Sequence, residues 1–438
     1  MEENMTPFNL PESFLFGSAT ASLQIEGGDK NNSWYEWCEK GHIKDGTHCI
    51  VANDHWNKLK EDVALMKELN HQIYRMGLEW SRIEPAKGQF SRDALKHYRQ
   101  EIELLIQNGI KPMITLHHFS NPLWLEHNGA WLTSEVIGLF ERYTEVVVNE
   151  LGDLVSDWVT INEPNVYLAM GYITGDWPPG GKGRMVEYFK GAKNMILAHI
   201  CSYKKIHFIR ANMGFKDTMV GVANHMRVFD PKYGTMREKL SCRLNNLLFH
   251  EIFIKGMAEG KLLPPSGCGY PMGKGPFMDF FGLNYYSRDM ISGTWNPAEL
   301  FGKMEFKAGA PTNDLGWELY PEGLSRICRK YFNRYGVPIY ITENGTCDKK
   351  DAFRTKYIYD HMLEIKNLID EGVAVERYYH WTLMDNFEWI EGLSACFGLI
   401  EVDFATQERK VRKSGQFYAE LSKTKAVTQE MIDKYLKD

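Results

Sequence analysis

No run in this sequence is apolar for long enough to span a membrane, no two cysteines stand as C-x-x-C, and no segment is of low complexity. The first absence excludes a transmembrane helix, which needs about 20 consecutive apolar residues. The second removes the common zinc and redox signatures. Eight cysteines (Cys38, Cys49, Cys201, Cys242, Cys268, Cys328, Cys347 and Cys396) are scattered over 438 residues without finger spacing. A chain of this length that is 44% apolar builds its core without disulfide staples, so free thiols in a reducing cytoplasm are expected. The third absence leaves no linker at which to divide the chain. The opening M-E-E-N-M-T-P-F-N-L-P is acidic and has no apolar h-region, so no signal peptide is expected. Positive charge is not in excess either. The 51 Lys and Arg are outnumbered by 57 Asp and Glu, for a net charge of −6, which argues against nucleic acid or an anionic membrane as partner.

What is present is a repeating unit. Short β-rich runs occur at 13–21, 72–80, 111–119, 157–165, 219–226, 277–286, 338–343 and 375–384. Helical patterns lie between most of them, such as 56–69 and 94–109. In the first of these Leu59, Val63, Met66 and Leu69 fall on one face. Continuous apolar runs separated by amphipathic helices are parallel strands covered on both faces. Eight such units predict a single (β/α)8 barrel over 1–438, with 23–70 and 287–337 as loop insertions. Residues 426–438 read as a short polar helix appended to it.

The polar residues cluster where the runs end. They are Gln24 and Glu26, Arg75 and Glu79, His117 and His118, Asn162 and Glu163, Asn224 and His225, Asn284 and Tyr286, Glu343 and Asn344, and Trp381 through Trp389. In a parallel barrel these ends open on one face, where active sites are built. Two ends pair a carboxylate with an amide: T-I-N-E-P-N (160–165) and I-T-E-N-G (341–345). Either glutamate alone reads as an ordinary surface ion pair. On runs four and seven the two face each other across the mouth, the equipment of glycoside hydrolysis. One carboxyl must be bare and the other must hold a proton. Aromatics, 13% of the chain with 12 Trp and 22 Tyr, serve a large core or a platform for sugar rings.

These two motifs resemble the signatures of glycoside hydrolase family 1, the retaining β-glucosidase family. The resemblance extends over about residues 8–420. It includes F-L-F-G-S-A-T-A-S-L-Q-I-E-G (14–27), N-D-H-W (53–56), E-D-V-A-L-M-K-E-L (61–69) and R-M-G-L-E-W-S-R-I-E-P (75–85). F-F-G-L-N-Y-Y (280–286), D-L-G-W-E-L-Y-P-E-G-L (314–324), W-T-L-M-D-N-F-E-W (381–389) and F-G-L (397–399) follow in order. It implies Glu343 as nucleophile and Glu163 as acid/base, with carboxyl groups ~5–5.5 Å apart. Arg75, Asn284 and Tyr286 would support the nucleophile, and Asn162 would hold the sugar 2-hydroxyl. Gln24, His118, Trp381, Glu388 and Trp389 would complete the sugar site. Trp317 would line the aglycone side, where core packing is the other reading. His117 reads as a satisfied core histidine. The resemblance implies no cofactor and no metal.

Glu388 bears on the substrate, because a carboxylate repels a 6-phosphate dianion. The family's phospho-glycosidases lack this Glu and place Ser, Lys and Tyr downstream. Here I-E-G-L-S-A-C-F-G-L-I-E-V (390–402) has no Lys or Tyr. The expected activity is exo-acting hydrolysis of unphosphorylated β-glycosides. β-Galactosidase, β-fucosidase and transglycosylating variants of the same mechanism stay open. The chain departs from the family at Gly77 (often Ser), Phe119 (often Trp), Trp177 (often His) and in a short turn after Glu343. A metal-dependent hydrolase is disfavoured, since His117 and His118, adjacent on a strand, point to opposite sides. A non-catalytic sugar-binding barrel is disfavoured because both carboxylates are present.

Overall fold

A strand begins inside every one of the eight runs. The computed structural model describes residues 5–296 and 299–437. Its barrel strands are β1 (Leu15–Ala19), β2 (Ile73–Gly77), β3 (Lys111–His117), β4 (Asp157–Asn162), β5 (Met219–Pro231), β6 (Phe281–Gly293), β7 (Ile339–Asn344) and β8 (Val375–Trp381). Each pairs in parallel with its neighbours in sequence, and β8 returns to β1 through Arg377↔Leu15 to Trp381↔Ala19. The result is a closed (β/α)8 barrel. Helices cover it from outside. The helix His55–Glu68 buries Val63 and Met66 and keeps Leu59 half-buried. Arg92–Gln107 is capped by the Ser91 side chain and buries Leu95, Tyr98, Ile102 and Leu105.

Two expectations need correction. The strands β5 and β6 run well past the ends of their apolar runs. Beyond the barrel they pair with each other from Val228↔Arg288 to Pro231↔Ile291, and Gly302–Glu305 adds an antiparallel strand to β6. This ribbon alternates buried and partly exposed residues and carries the ion pairs Arg227–Asp289 and Arg288–Asp230. A half-solvated ribbon has no continuous apolar run to betray it. The C-terminal segment is also more than an appended polar helix. Ala426–Val427 pairs antiparallel with Phe8–Asn9, joining the two ends of the chain. Met431, Ile432 and Tyr435 after it are buried, with Tyr435 5.7 Å from the Phe417 ring.

The end of β7 shows why a buried strand finishes in T-E-N-G. Asn344 is a clasp. Its amide donates to the Tyr285 carbonyl (2.7 Å) and the Tyr357 hydroxyl (2.8 Å), and its oxygen accepts from Tyr378 (2.9 Å). At Gly345 the backbone passes so close to β8 that a Cβ would lie 1.7 Å from the Trp381 carbonyl oxygen. The amide and the glycine hold the strand end in place, and the carboxylate before them is aimed inward.

Candidate active site

Glu343 is 3% exposed and is gripped on both oxygens. Arg75 Nη1 donates to Oε1 and the Tyr286 hydroxyl to Oε2, each at 2.7 Å. Arg75 comes from the middle of β2 and is fully buried. Its remaining donors reach Thr115 Oγ1 (3.0 Å), the Thr342 carbonyl (3.2 Å) and Asn162 Oδ1 (2.7 Å). Burial pushes the Glu343 carboxyl up, to about 7. Arg75 pulls it down, nearby Glu163 pushes it up, and the Tyr286 hydrogen bond pulls it down. Tyr286 itself is held well above the ordinary phenol range by burial and by Glu343, so it stays a donor.

Glu163 follows β4 with its backbone in the left-handed region (φ 42°) and caps the short helix Pro164–Leu168. Proline is preformed for the first helical position. The strained residue before it turns the chain sharply and leaves its side chain at the mouth. Its Oε1 meets the Asn284 amide at 2.8 Å and His225 Nδ1 at 3.0 Å. Asn284, expected to support Glu343, donates instead to Glu163, because Thr342 orients it by donating its hydroxyl to Asn284 Oδ1 (2.7 Å) and turns the amide that way. The Asn284 amide also reaches Asn162 Oδ1 (3.1 Å). Tyr286, Arg75, Asn162 and Asn284 therefore join the two glutamates in one buried hydrogen-bond chain.

The same chain fixes the donors left for a ligand. Asn162 Oδ1 accepts from both Arg75 and Asn284, so its amide hydrogens face the other way, one toward His118 Nε2 (2.9 Å). His118 then carries its hydrogen on Nδ1, which is buried without a protein partner. Burial, with the Arg75 charge beside it, holds His118 far below the usual imidazole range, so it is neutral. Gln24 spends its amide on the Phe387 carbonyl (2.9 Å), Asn386 Oδ1 (3.1 Å) and Glu388 Oε2 (3.3 Å). Its Oε1 is a buried acceptor with no protein partner. Burial raises the Glu388 carboxyl to about 8 and Glu343 adds to this, while hydrogen bonds from Trp381 and Gln24 oppose it. Partnerless buried polar atoms cost stability unless a ligand satisfies them.

Aromatic rings wall this end. Trp381 and Trp389 each lie 5.7 Å from His118, and Trp389 packs on Trp34 (5.0 Å), Phe119 (5.1 Å) and Trp177 (5.8 Å). Phe119 and Trp177, two of the departures from the family pattern, touch each other at 4.8 Å. Trp317 is half-buried beside Tyr286 (5.8 Å) and Phe397 (6.0 Å), on the Glu343 side. His117 turns away to Asn121 (3.0 Å) and Trp131, as a core residue does.

Two features escaped the sequence. His225 was visible at the end of its run, but nothing there showed that it meets Glu163; its register opposite Asn284 supplies that. Among the described residues one group of thiols and imidazole is close enough to hold a metal: Cys38, His48 and Cys49. It includes neither glutamate of the mouth.

Comparison with known proteins agrees with this geometry. The model of "Glycosyl hydrolase family 1" matches residues 6–262 and 275–427. "Beta-glucosidase A" of Thermotoga maritima is 32% identical over 443 residues, 94% of this chain and 97% of the relative. "Beta-galactosidase" of Pyrococcus woesei is 30% identical, covering 98% and 99%. Among solved structures, a beta-glycosidase from Pyrococcus horikoshii superposes with a TM-score of 0.91 at 34% identity, covering 99% of both chains. A beta-glucosidase from Thermotoga maritima in complex with glucoimidazole superposes at 0.86 and 30%, covering 95% and 99%. A match over nearly the whole length, on a closed barrel whose fourth and seventh strands deliver two linked glutamates, places this chain in glycosyl hydrolase family 1.

Proposed function

We propose that the chain is an exo-acting, retaining β-glycosidase that hydrolyses unphosphorylated β-glycosides, with β-glucosides as the leading class. The observation that carries this reading is the grip on Glu343 by Arg75 and Tyr286, continued through Asn162 and Asn284 to Glu163. The Arg75 guanidinium and the Tyr286 hydroxyl favour the charged form of Glu343 against the cost of its burial, as a nucleophile needs, and the retaining mechanism gives Glu163 the part of proton donor.

The Glu343 carboxylate attacks the anomeric carbon while Glu163 gives its proton to the departing glycosidic oxygen. The sugar is then an ester of Glu343. Glu163, now bare, takes a proton from water, whose oxygen attacks the same carbon and releases Glu343. Two inversions leave the β configuration. An alcohol in place of water gives transglycosylation. The Asn162 amide serves the sugar 2-hydroxyl, a contact that strengthens in the transition state. His118 Nδ1, Gln24 Oε1 and Glu388 hold the hydroxyls further round the ring, Trp381 and Trp389 take its apolar face, and Trp317 lines the aglycone side. Gln24 and Glu388 form an end wall, which suits removal of one terminal sugar. The eight free cysteines support a reducing, cytoplasmic setting.

A panel of nitrophenyl glycosides tests this. Turnover of the β-glucoside, with the β-anomer of the free sugar appearing first by NMR, is expected; the α-anomer first would contradict retention. The relatives are named for glucosides and galactosides at similar identity. The ratio of gluco, galacto and fuco rates therefore settles the glycone.

Glu388 gives a second prediction. Its folded pKa is raised, so the stability it contributes is present below about 4.5 and is lost as pH rises through about 8. Glu388→Gln removes that loss. The variant is expected to melt a few degrees higher than the wild type at pH 9 and to hydrolyse the glucoside more slowly, a trade between stability and function. Equal melting temperatures at pH 9 would contradict the assignment.

A further inference from the structure

The helix Ser33–Glu39 packs Trp34 at a tilt against Trp389 and edge-to-face against Trp177, and so backs the aromatic wall. The segment after it, 40–53, runs along the loop that carries Glu388 and Trp389. Lys44 N donates to the Ile390 carbonyl (2.9 Å), Leu393 N to Thr47 Oγ1 (3.0 Å) and Ser394 N to Asp45 Oδ2 (2.9 Å). Near its end this segment folds back on the helix. Cys38 and Cys49 are both buried, with their sulfurs 3.7 Å apart. A ring nitrogen of half-buried His48 and the two sulfurs all lie within 4.8 Å of one another.

We propose that Cys38, Cys49 and His48 bind one thiophilic divalent ion of the zinc type, which staples the 40–53 segment to the helix behind the sugar wall. The donor set is two thiolates and an imidazole, which selects zinc over magnesium or calcium. In a tetrahedral site with Zn–S bonds of about 2.3 Å, two sulfurs stand about 3.8 Å apart, as these do. Sulfur to nitrogen is then about 3.6 Å, and the 4.8 Å limit here leaves the imidazole up to about 1.2 Å to move in. His48 is set up for this. Its Nδ1 accepts from the Ile50 amide (3.0 Å), and its Nε2 lies 3.1 Å from Glu39 Oε1. The hydrogen is therefore on Nε2, held by a carboxylate, and the lone pair is on Nδ1. A carboxylate behind the ligating imidazole is the usual outer support of a metal-bound histidine. The ion takes the free lone pair of the imidazole, which gives up its contact with the Ile50 amide, and water completes the fourth position. Both thiols lose their protons to solvent as the two sulfur–metal bonds form. The spacing, Cys38 and then His48-Cys49 after nine intervening residues, matches none of the short paired patterns by which zinc sites are read from sequence. The ion is no part of the hydrolysis. It stabilises the folded chain by binding it and not the unfolded one.

Cobalt titration of metal-free, reduced protein tests this. A sulfur-to-cobalt charge-transfer band is expected, saturating at one ion per chain and bleached by equimolar zinc. Zinc is expected to raise Tm by a few degrees, with turnover of the nitrophenyl glucoside at 25 °C unchanged by its removal. Cys49→Ser is expected to abolish the band while keeping turnover, which also certifies its fold. His48→Gln is expected to weaken zinc binding at least tenfold. A reduced wild type that gives no such band would overturn the proposal. So would a band that survives Cys49→Ser, a Cys38–Cys49 disulfide trapped from cells, or loss of turnover at 25 °C on metal removal.

Discussion

Replacing Glu343 with Ala is expected to lower kcat/KM for a nitrophenyl β-glucoside at least about a thousandfold, some 4 kcal/mol of transition-state stabilisation. The loss is large because the substitution removes the bond-forming atom itself. Arg75 and Tyr286, which now hold the two Glu343 oxygens, are left facing a gap the size of a small anion. Azide fits that gap by charge and by size. It is expected to restore turnover and to give the α-glycosyl azide, because it attacks from the face that Glu343 occupied while Glu163 still protonates the leaving group. A β-azide product would exchange the roles of the two glutamates. A melting transition close to the wild type separates lost chemistry from lost fold.

Replacing Glu163 with Ala is expected to act selectively. A substrate whose aglycone leaves as a stable anion needs no proton, so its first displacement is largely spared. An alkyl glycoside needs the proton, and its kcat/KM is expected to fall by about 10²–10⁴-fold. Azide again rescues, but here it replaces water in the second step, and the product is the β-glycosyl azide. The decisive measurement is the dependence of kcat/KM on leaving-group pKa, which steepens in the variant. Equal losses for activated and unactivated aglycones would remove Glu163 from the acid role. His225 and Asn284 share the Glu163 oxygen. Both lose a partner in this variant, so its stability is to be compared with that of Glu163→Gln.

The barrel strands were legible because each is a buried apolar run with an abrupt polar end, and burial on both faces leaves that mark wherever the strand sits in the chain. The two glutamates were legible only as a pair: either alone reads as a surface ion pair, but two at the ends of strands four and seven face one mouth. The hydrogen-bond chain between them was not. Its links join residues 75, 162, 284 and 343, and no local pattern says which strand end an amide reaches. Asn344 illustrates this limit. It stands beside a catalytic candidate, yet its side chain is spent on Tyr285, Tyr357 and Tyr378. The ribbon beyond the barrel was hidden by its alternating exposure. The terminal segment was hidden because three buried residues among charged ones read as a surface helix until a partner strand is known.

The pairing of β8 with β1, repeated outside the barrel by Ala426–Val427 with Phe8–Asn9, has a bearing on how the molecule is made. The first barrel strand to be made has no mate on this side until the last one emerges, so an unclosed sheet waits with a bare edge in the interval. Contacts so distant along the chain form slowly, and open strand edges invite pairing with other chains. Ring closure therefore waits for the last barrel strand, and the nascent barrel is the stage at which this protein most needs shelter from its neighbours.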